Sequence, residues 1–259
     1  MNLIDLINCS YQIQNKFLVK EINCSISPNE LVVIMGSNGA GKSTLLKLIS
    51  GLLKVSTGEL LIDNKSINKY PSIELAIKRA VLSQHYEISF PLTVREIVLM
   101  GRYPYFKTNP NQRDFDIVNH VMKLMGISEF ANRKYHTLSG GEAQKVQMCR
   151  VLAQISGTEK KNKFLLLDEP VSHLDIKYQY YLLDIAKSII NPHTTVIAVL
   201  HDINLALKFA DRILFMKEGQ IVHQHQKNDT LELSVIKKVF DVDATIIDVH
   251  NENRQWVCF

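Results

Sequence analysis

Gly36-Ser37-Asn38-Gly39-Ala40-Gly41-Lys42-Ser43-Thr44 sets three glycines, a lysine and three hydroxyls between the apolar run 30–35 and an apolar-periodic stretch, 44–50. Such a stretch reads as strand, loop, helix. A row of phosphates carries several negative charges, and backbone N–H groups curled into a nest at a helix N-terminus supply a cradle for them. The glycines let the backbone approach, Lys42 adds a mobile positive charge for the terminal phosphates, and the Ser43 hydroxyl is placed to ligate the accompanying magnesium. The flanking strand and helix are the context that confirms a Walker A loop, so the chain is expected to bind a nucleoside triphosphate with Mg2+.

Further groups of residues carry chemistry. Phe164-Leu-Leu-Leu-Asp168-Glu169-Pro170 is an apolar strand ending in two carboxylates. Asp168 is placed to hold magnesium, and Glu169, one residue on, to polarise a water at the terminal phosphate. The apolar run 194–200 ends at His201, a histidine placed to hydrogen-bond a γ-phosphate oxygen. Gln84 follows the short apolar stretch 79–83 and can reach a magnesium ion or the attacking water. Leu138-Ser139-Gly140-Gly141-Glu142 opens an amphipathic helix. Ser139 and Glu142 have capping-box spacing, and the glycine pair exposes N–H groups beside a hydroxyl at a positive helix end, a second phosphate-binding surface. One nucleotide does not easily meet two such loops of one chain, whereas two copies head to tail let each Ser139 loop close on the nucleotide held by the other copy's Lys42. Ser172-His173-Leu174-Asp175 then falls along the seam.

The elements that position these residues follow from pattern. From Leu3 to Ile26 apolar and polar residues alternate around a turn at Gln14-Asn15, as in an antiparallel hairpin. Tyr11 in that hairpin is a candidate platform for the base, or else a half-buried strand tyrosine. Strands are expected at 58–62 and 79–83, helices at 93–100, 114–125 and 139–154, strands again at 164–168 and 194–200, a helix at 204–210, a hairpin at 212–223 and one short helix with two strands beyond Thr230. His223 and His225 are expected to be solvated near a hairpin end, with no third ligand at metal spacing. Cys9, Cys24, Cys149 and Cys258 lack metal spacing and read as reduced filler.

The 259 residues, 46% apolar, suffice for a full α/β core, and a net charge of +4 from 30 basic and 26 acidic residues spread along the chain does not point to nucleic acid. No run approaches the ~20 apolar residues of a membrane span. The chain is expected to reach a membrane only through a partner.

Taken in order, Tyr11, the Walker A loop, Gln84, Leu-Ser-Gly-Gly-Glu, Leu-Leu-Leu-Asp-Glu-Pro, Ser-His-Leu-Asp and His201 resemble the motif set of an ABC-transporter nucleotide-binding subunit over nearly the whole chain. The resemblance implies an α/β P-loop NTPase (RecA-like) core with an antiparallel β-subdomain, from 1–84 and 158–259, and a helical subdomain inserted at 85–157. It implies an ATPase acting as a homodimer with two transmembrane permease subunits, fed indirectly by a periplasmic or surface substrate-binding protein, at the cytoplasmic face of the inner membrane. Glu142 stands where glutamine is commoner in the signature and His173 where alanine is usual, and 155–163 is longer and more charged than the usual turn. Within the family, Ser89-Phe-Pro-Leu-Thr-Val-Arg-Glu-Ile-Val-Leu-Met-Gly-Arg-Tyr-Pro104 resembles the importer group for iron complexes and cobalamin. The haemin-importing ATPases rank first, ferric siderophore or cobalamin second, and a soluble ABC ATPase without a membrane partner last.

Overall fold

A computed structural model describes residues 2–83, 88, 90–157, 161–172, 174–249 and 254–259. At its centre is a six-stranded sheet in the order β10-β9-β3-β8-β7-β6. The strands are β3 (Leu31–Gly36), β6 (Arg79–Leu82), β7 (Lys163–Asp168), β8 (Thr194–Val199), β9 (Arg212–Lys217) and β10 (Gln220–Gln226). The inner pairings are parallel, and only β10 runs antiparallel, on the edge beside β9. Parallel strands covered on both faces read as continuous apolar runs, as Leu31 to Met35 and Phe164 to Leu167 do.

Alternation within those runs divides the core. Leu31, Val33, Met35, Leu165, Leu167, Val196 and Ala198 face one apolar cluster, while Val32, Ile34, Phe164, Leu166, Ile197 and Val199 face the other. The second cluster is closed by α1 (Lys42–Ser50) and by an antiparallel sheet, order β2-β1-β4-β5. Its strands are β1 (Ile4–Ile13), β2 (Lys16–Ile26), β4 (Thr57–Ile62) and β5 (Lys65–Ser66). The β1–β2 turn is where the Gln14-Asn15 signal places it, with Gln14 at φ 55°. The first cluster packs against α3 (Val94–Met100), α4 (Gln112–Leu124), α5 (Gly140–Ile155), α6 (Ile176–Ser188), α7 (Ile203–Phe209) and α8 (Leu233–Phe240).

Two helices lie where the pattern reading assigns none: α2 (Ser72–Lys78), and α6, whose N-terminus is capped by Asp175 accepting from Tyr178 N at 2.9 Å. The two strands expected after the short helix are present, β11 (Thr245–Val249) and β12 (Arg254–Cys258), and they pair antiparallel. One expectation is overturned. His225 is buried, 3% exposed, and His223 half-buried beside Phe215, because β10 runs on to Gln226 and turns both imidazoles towards the core under α8. Burial pushes the His225 pKa below its ordinary value. Cys9, Cys24 and Cys149 are buried and Cys258 half-buried, all as free thiols. Among the described residues no helix is long and apolar enough to cross a membrane.

Candidate functional site

The C-terminal ends of three adjacent strands, β3, β8 and β7, carry the glycine loop, His201 and the Asp168-Glu169 pair. Ligands bind at that edge of an open α/β sheet, where the strand order reverses. Between β3 and α1 the loop closes around its own lysine: Lys42 Nζ donates to the Gly36 carbonyl at 2.8 Å and to the Ser37 carbonyl at 3.0 Å. Lys42 is 6% exposed, and burial lowers its pKa, partly offset by Glu169 and Asp168.

The loop's glycines are dictated by what lies behind them. A Cβ on Gly36, at φ 152°, would stand 2.2 Å from the Met216 carbonyl oxygen, and one on Gly41, at φ 98°, 2.4 Å from the Leu18 oxygen. Gly39 has open space around it and needs glycine only for its φ of 81°. A back wall therefore holds the cradle, in which Gly219 N donates to the Ala40 carbonyl at 3.0 Å and Lys20 N to the Gly219 carbonyl at 2.8 Å. The β9–β10 turn that provides Gly219 has no nucleotide motif of its own. Only its Glu-Gly pair signals a tight turn.

Ser43, in the first turn of α1, donates to Asp168 Oδ1 at 2.9 Å. Asp168 is 7% exposed, and burial raises its carboxyl pKa against the lowering effect of that hydroxyl. A hydroxyl and a carboxylate side by side are the hard oxygen donors that magnesium takes, and the cation would relieve the cost of the buried charge, so the pair fits Mg2+. Glu169 has φ 52°, an unusual conformation for a side-chain-bearing residue, and its Oε1 lies 2.7 Å from His201 Nε2. Both line a pocket of about 210 Å³ with Ser172, Gln179 and Asp202. Ser172 Oγ donates to the Glu169 carbonyl at 2.9 Å, holding that turn. Thr44 lies in the first turn of α1.

Tyr11 pairs with Val19 across the β1–β2 hairpin, next to Leu18, whose carbonyl walls Gly41. Its ring is half-buried and packs on the cluster beneath the antiparallel sheet. The structure thus seats Tyr11 one strand from the loop.

Ser139, by contrast, is exposed at the N-cap of α5. Its capping box is present: Ser139 N donates to Glu142 Oε2 at 2.8 Å, and Arg133 adds a bond to Glu142 Oε1 at 3.1 Å, which together hold the Glu142 carboxyl below its usual range. Gly140 has nothing within contact of an added Cβ, and Gly141 meets only Leu174 Cδ2 at 3.7 Å. Gln144 donates to the Pro170 carbonyl and ties α5 to the turn after β7. Among the described residues no hydrogen bond joins the 138–142 segment to the glycine loop of the same chain. Leu138 packs partly buried on the core. Gln84 and His173 lie outside the described residues.

Comparison with known proteins agrees with this geometry. The ABC transporter family profile matches residues 19–172. The hemin import ATP-binding protein HmuV of Pseudoalteromonas translucida is 39% identical over 241 residues, 92% of each chain. Its namesake from Escherichia coli O157:H7 is 35% identical over 246 residues, 95% of this chain and 94% of that protein. Among solved structures, an inward-facing, metal-chelate type ABC transporter shares the fold at a TM-score of 0.82 and 21% identity, over 99% of this chain and 96% of that one. A dimeric ATP-binding cassette bound to ADP and phosphate superposes at a TM-score of 0.75 with 29% identity, covering 88% of this chain and all of that one.

Proposed function

This chain belongs to the ABC transporter family as an ATP-hydrolysing cassette, and we propose that it drives the import of haem through a permease in the cytoplasmic membrane. The observation that carries the ATPase reading is the convergence of Lys42, Ser43, Asp168, Glu169 and His201 on one sheet edge. The observation that favours haem is relatives named as hemin import proteins over nearly their whole length.

In this reading two copies sandwich two ATP molecules head to tail. Gly36 to Thr44 of one copy cradle the phosphates and Tyr11 lies against the base, while Ser139, Gly140 and Gly141 of the other close on the γ-phosphate. The exposure of Ser139 and Gly140 supports this, since a signature loop that acts on another chain's nucleotide must present its N–H groups outward. Ser43 and Asp168 would hold magnesium, with Gln84 assigned to it from the sequence alone, and the ion would supply neutralisation of the phosphate charge. Glu169 accepts a proton from the attacking water. His201, whose Nε2 lies 2.7 Å from Glu169 Oε1, serves the γ-phosphate oxygens, where charge develops during transfer. The 85–157 insert is the part that meets the permease: Phe90 and Tyr103 are exposed there, 73% and 56%, and the one-turn helix 103–105 lies against α2, where Ile73 is 68% exposed.

Deleting the chain from its organism and comparing growth on haem with growth on ferric siderophore as iron source tests the cargo. Loss of haem growth alone, restored by the chain but not by Lys42→Ala, is the expected result. Intact haem growth with failed siderophore or cobalamin use would contradict it.

A further inference from the structure

The C-terminal end of α5 is an unusually complete piece of bonding. A helix leaves its last four carbonyls without intrahelical partners. Here each one receives a donor. The Leu152 carbonyl takes Ser156 Oγ at 2.7 Å, Ala153 takes Arg102 Nη1 at 2.7 Å, Gln154 takes the Tyr105 hydroxyl at 2.7 Å, and Ile155 takes Lys163 Nζ at 3.3 Å. Arg102 also donates through Nη1 to the Ser156 carbonyl at 2.6 Å and through Nε to Asp114 Oδ1 at 3.0 Å, and its guanidinium lies 3.8 Å from the Tyr105 ring centroid. Arg102 and Asp114 are 3% and 2% exposed. Asp114 in turn closes the capping box of α4 through Asn111 N at 3.0 Å. At Gly101 an added Cβ would stand 2.1 Å from the Arg150 carbonyl oxygen, so the end of α3 is pressed onto the α5 backbone.

Two cations at the negative end of the helix dipole would be explicable as stabilisation alone. The placement adds more. Arg102 and Tyr105 flank Tyr103, which is exposed on the face the importer reading gives to the permease. The helix they grip has 16 residues, a strut of about 24 Å, and its other end is Ser139. Gln154 extends the grip to the core through the Ala76 and Arg79 carbonyls at 2.8 and 3.0 Å.

We propose that Arg102 is a positioning residue of the hydrolysis cycle: it locks the 101–105 segment to the end of α5, so that a permease pressing on that segment moves the signature serine at the far end against the ATP held by the other copy. The inference rests on the importer reading above. It assigns the coupling to one rigid helix and one buried guanidinium, with the planar fork holding two carbonyls and a carboxylate at once.

The test uses the full chain, alone and assembled with its permease pair in lipid, and follows ATP hydrolysis as kcat and KM. Arg102→Lys keeps the charge and loses the fork. Tyr105→Phe removes one hydrogen bond and is the milder variant, so that folding does not decide the result. Both are expected to keep the KM for ATP and the hydrolysis rate of the detached chain. Because a misplacement of about 1 Å can cost ~10²-fold, permease-stimulated kcat is expected to fall about tenfold in Arg102→Lys and by less in Tyr105→Phe. Stimulation at the wild-type level in both variants would overturn the proposal. So would a loss of detached and stimulated rates in equal proportion, which is what a merely structural residue gives. A wild-type chain that no permease stimulates would instead refute the importer reading and remove this one with it.

Discussion

Replacing Gly36 with alanine perturbs the cradle at its most constrained point. The new Cβ would stand 2.2 Å from the Met216 carbonyl oxygen, whereas ordinary contact begins at 3.4 Å, so loop or β9 must give by more than 1 Å. Neither gives readily, because Gly36 and Met216 are registered partners in the parallel sheet and the Gly36 carbonyl also anchors Lys42. The φ of 152° adds a strain of roughly 1–3 kcal/mol for any L side chain. With the clash, the total should reach about 3 kcal/mol, which in a chain of this size lowers the thermal midpoint by about 6–12 °C. Gly39→Ala is the control. Its Cβ meets open space, so only the left-handed penalty of about 1–2 kcal/mol remains. Thermal unfolding without nucleotide, together with titration by a fluorescent ATP analogue, should rank Gly36→Ala well below Gly39→Ala in both stability and affinity. Equal midpoints and equal affinities for the two variants would refute the claim that a back wall shapes this loop.

Asp168→Asn should raise the thermal midpoint of the nucleotide-free chain at pH 7.5 and abolish hydrolysis. Burial raises the Asp168 pKa, so its ionised form opposes folding above the unfolded value of about 3.9, and the wild type gains stability as pH falls through the folded value. Lys42→Met should act in the same direction on stability, because burial lowers the lysine pKa and its charge opposes folding until pH rises through the folded value; ATP should then no longer stabilise the chain in a thermal melt. Ser139→Ala removes a helix cap whose loss costs about 1 kcal/mol, a shift of about 2–4 °C, yet should suppress hydrolysis far beyond what that instability explains. Gly140→Ala meets no neighbour and should leave the melt unchanged while slowing hydrolysis, checked by phosphate release.

The glycine loop, the Asp168-Glu169 strand end and the capping box at Ser139 were legible because each is a local signal whose residue types and spacing carry the chemistry. The strands were legible for a related reason, since burial on both faces leaves an uninterrupted apolar run. Arg102 was not. A single arginine in a loop looks solvated, and its partner Asp114 looks like a helix cap, which it also is; only the packing of α3, α4 and α5 buries the pair. α6 was missed because Tyr178, Gln179, Tyr180 and Tyr181 blur the apolar stripe, with Tyr180 against Phe209 and the Tyr181 hydroxyl on the Leu124 carbonyl. His225 misled because alternating His-Gln-His suggests a wet hairpin end, while strand periodicity gives its imidazole to the core.

The central claim is that Glu169 is the base and that two copies close on ATP, and Glu169→Gln tests both at once. Mixed with ATP and Mg2+ and sized by light scattering, the variant should accumulate as a dimer that retains intact ATP, while the wild type with ADP stays monomeric. A Glu169→Gln chain that releases phosphate at the wild-type rate, or that binds ATP and remains a monomer, would contradict the account.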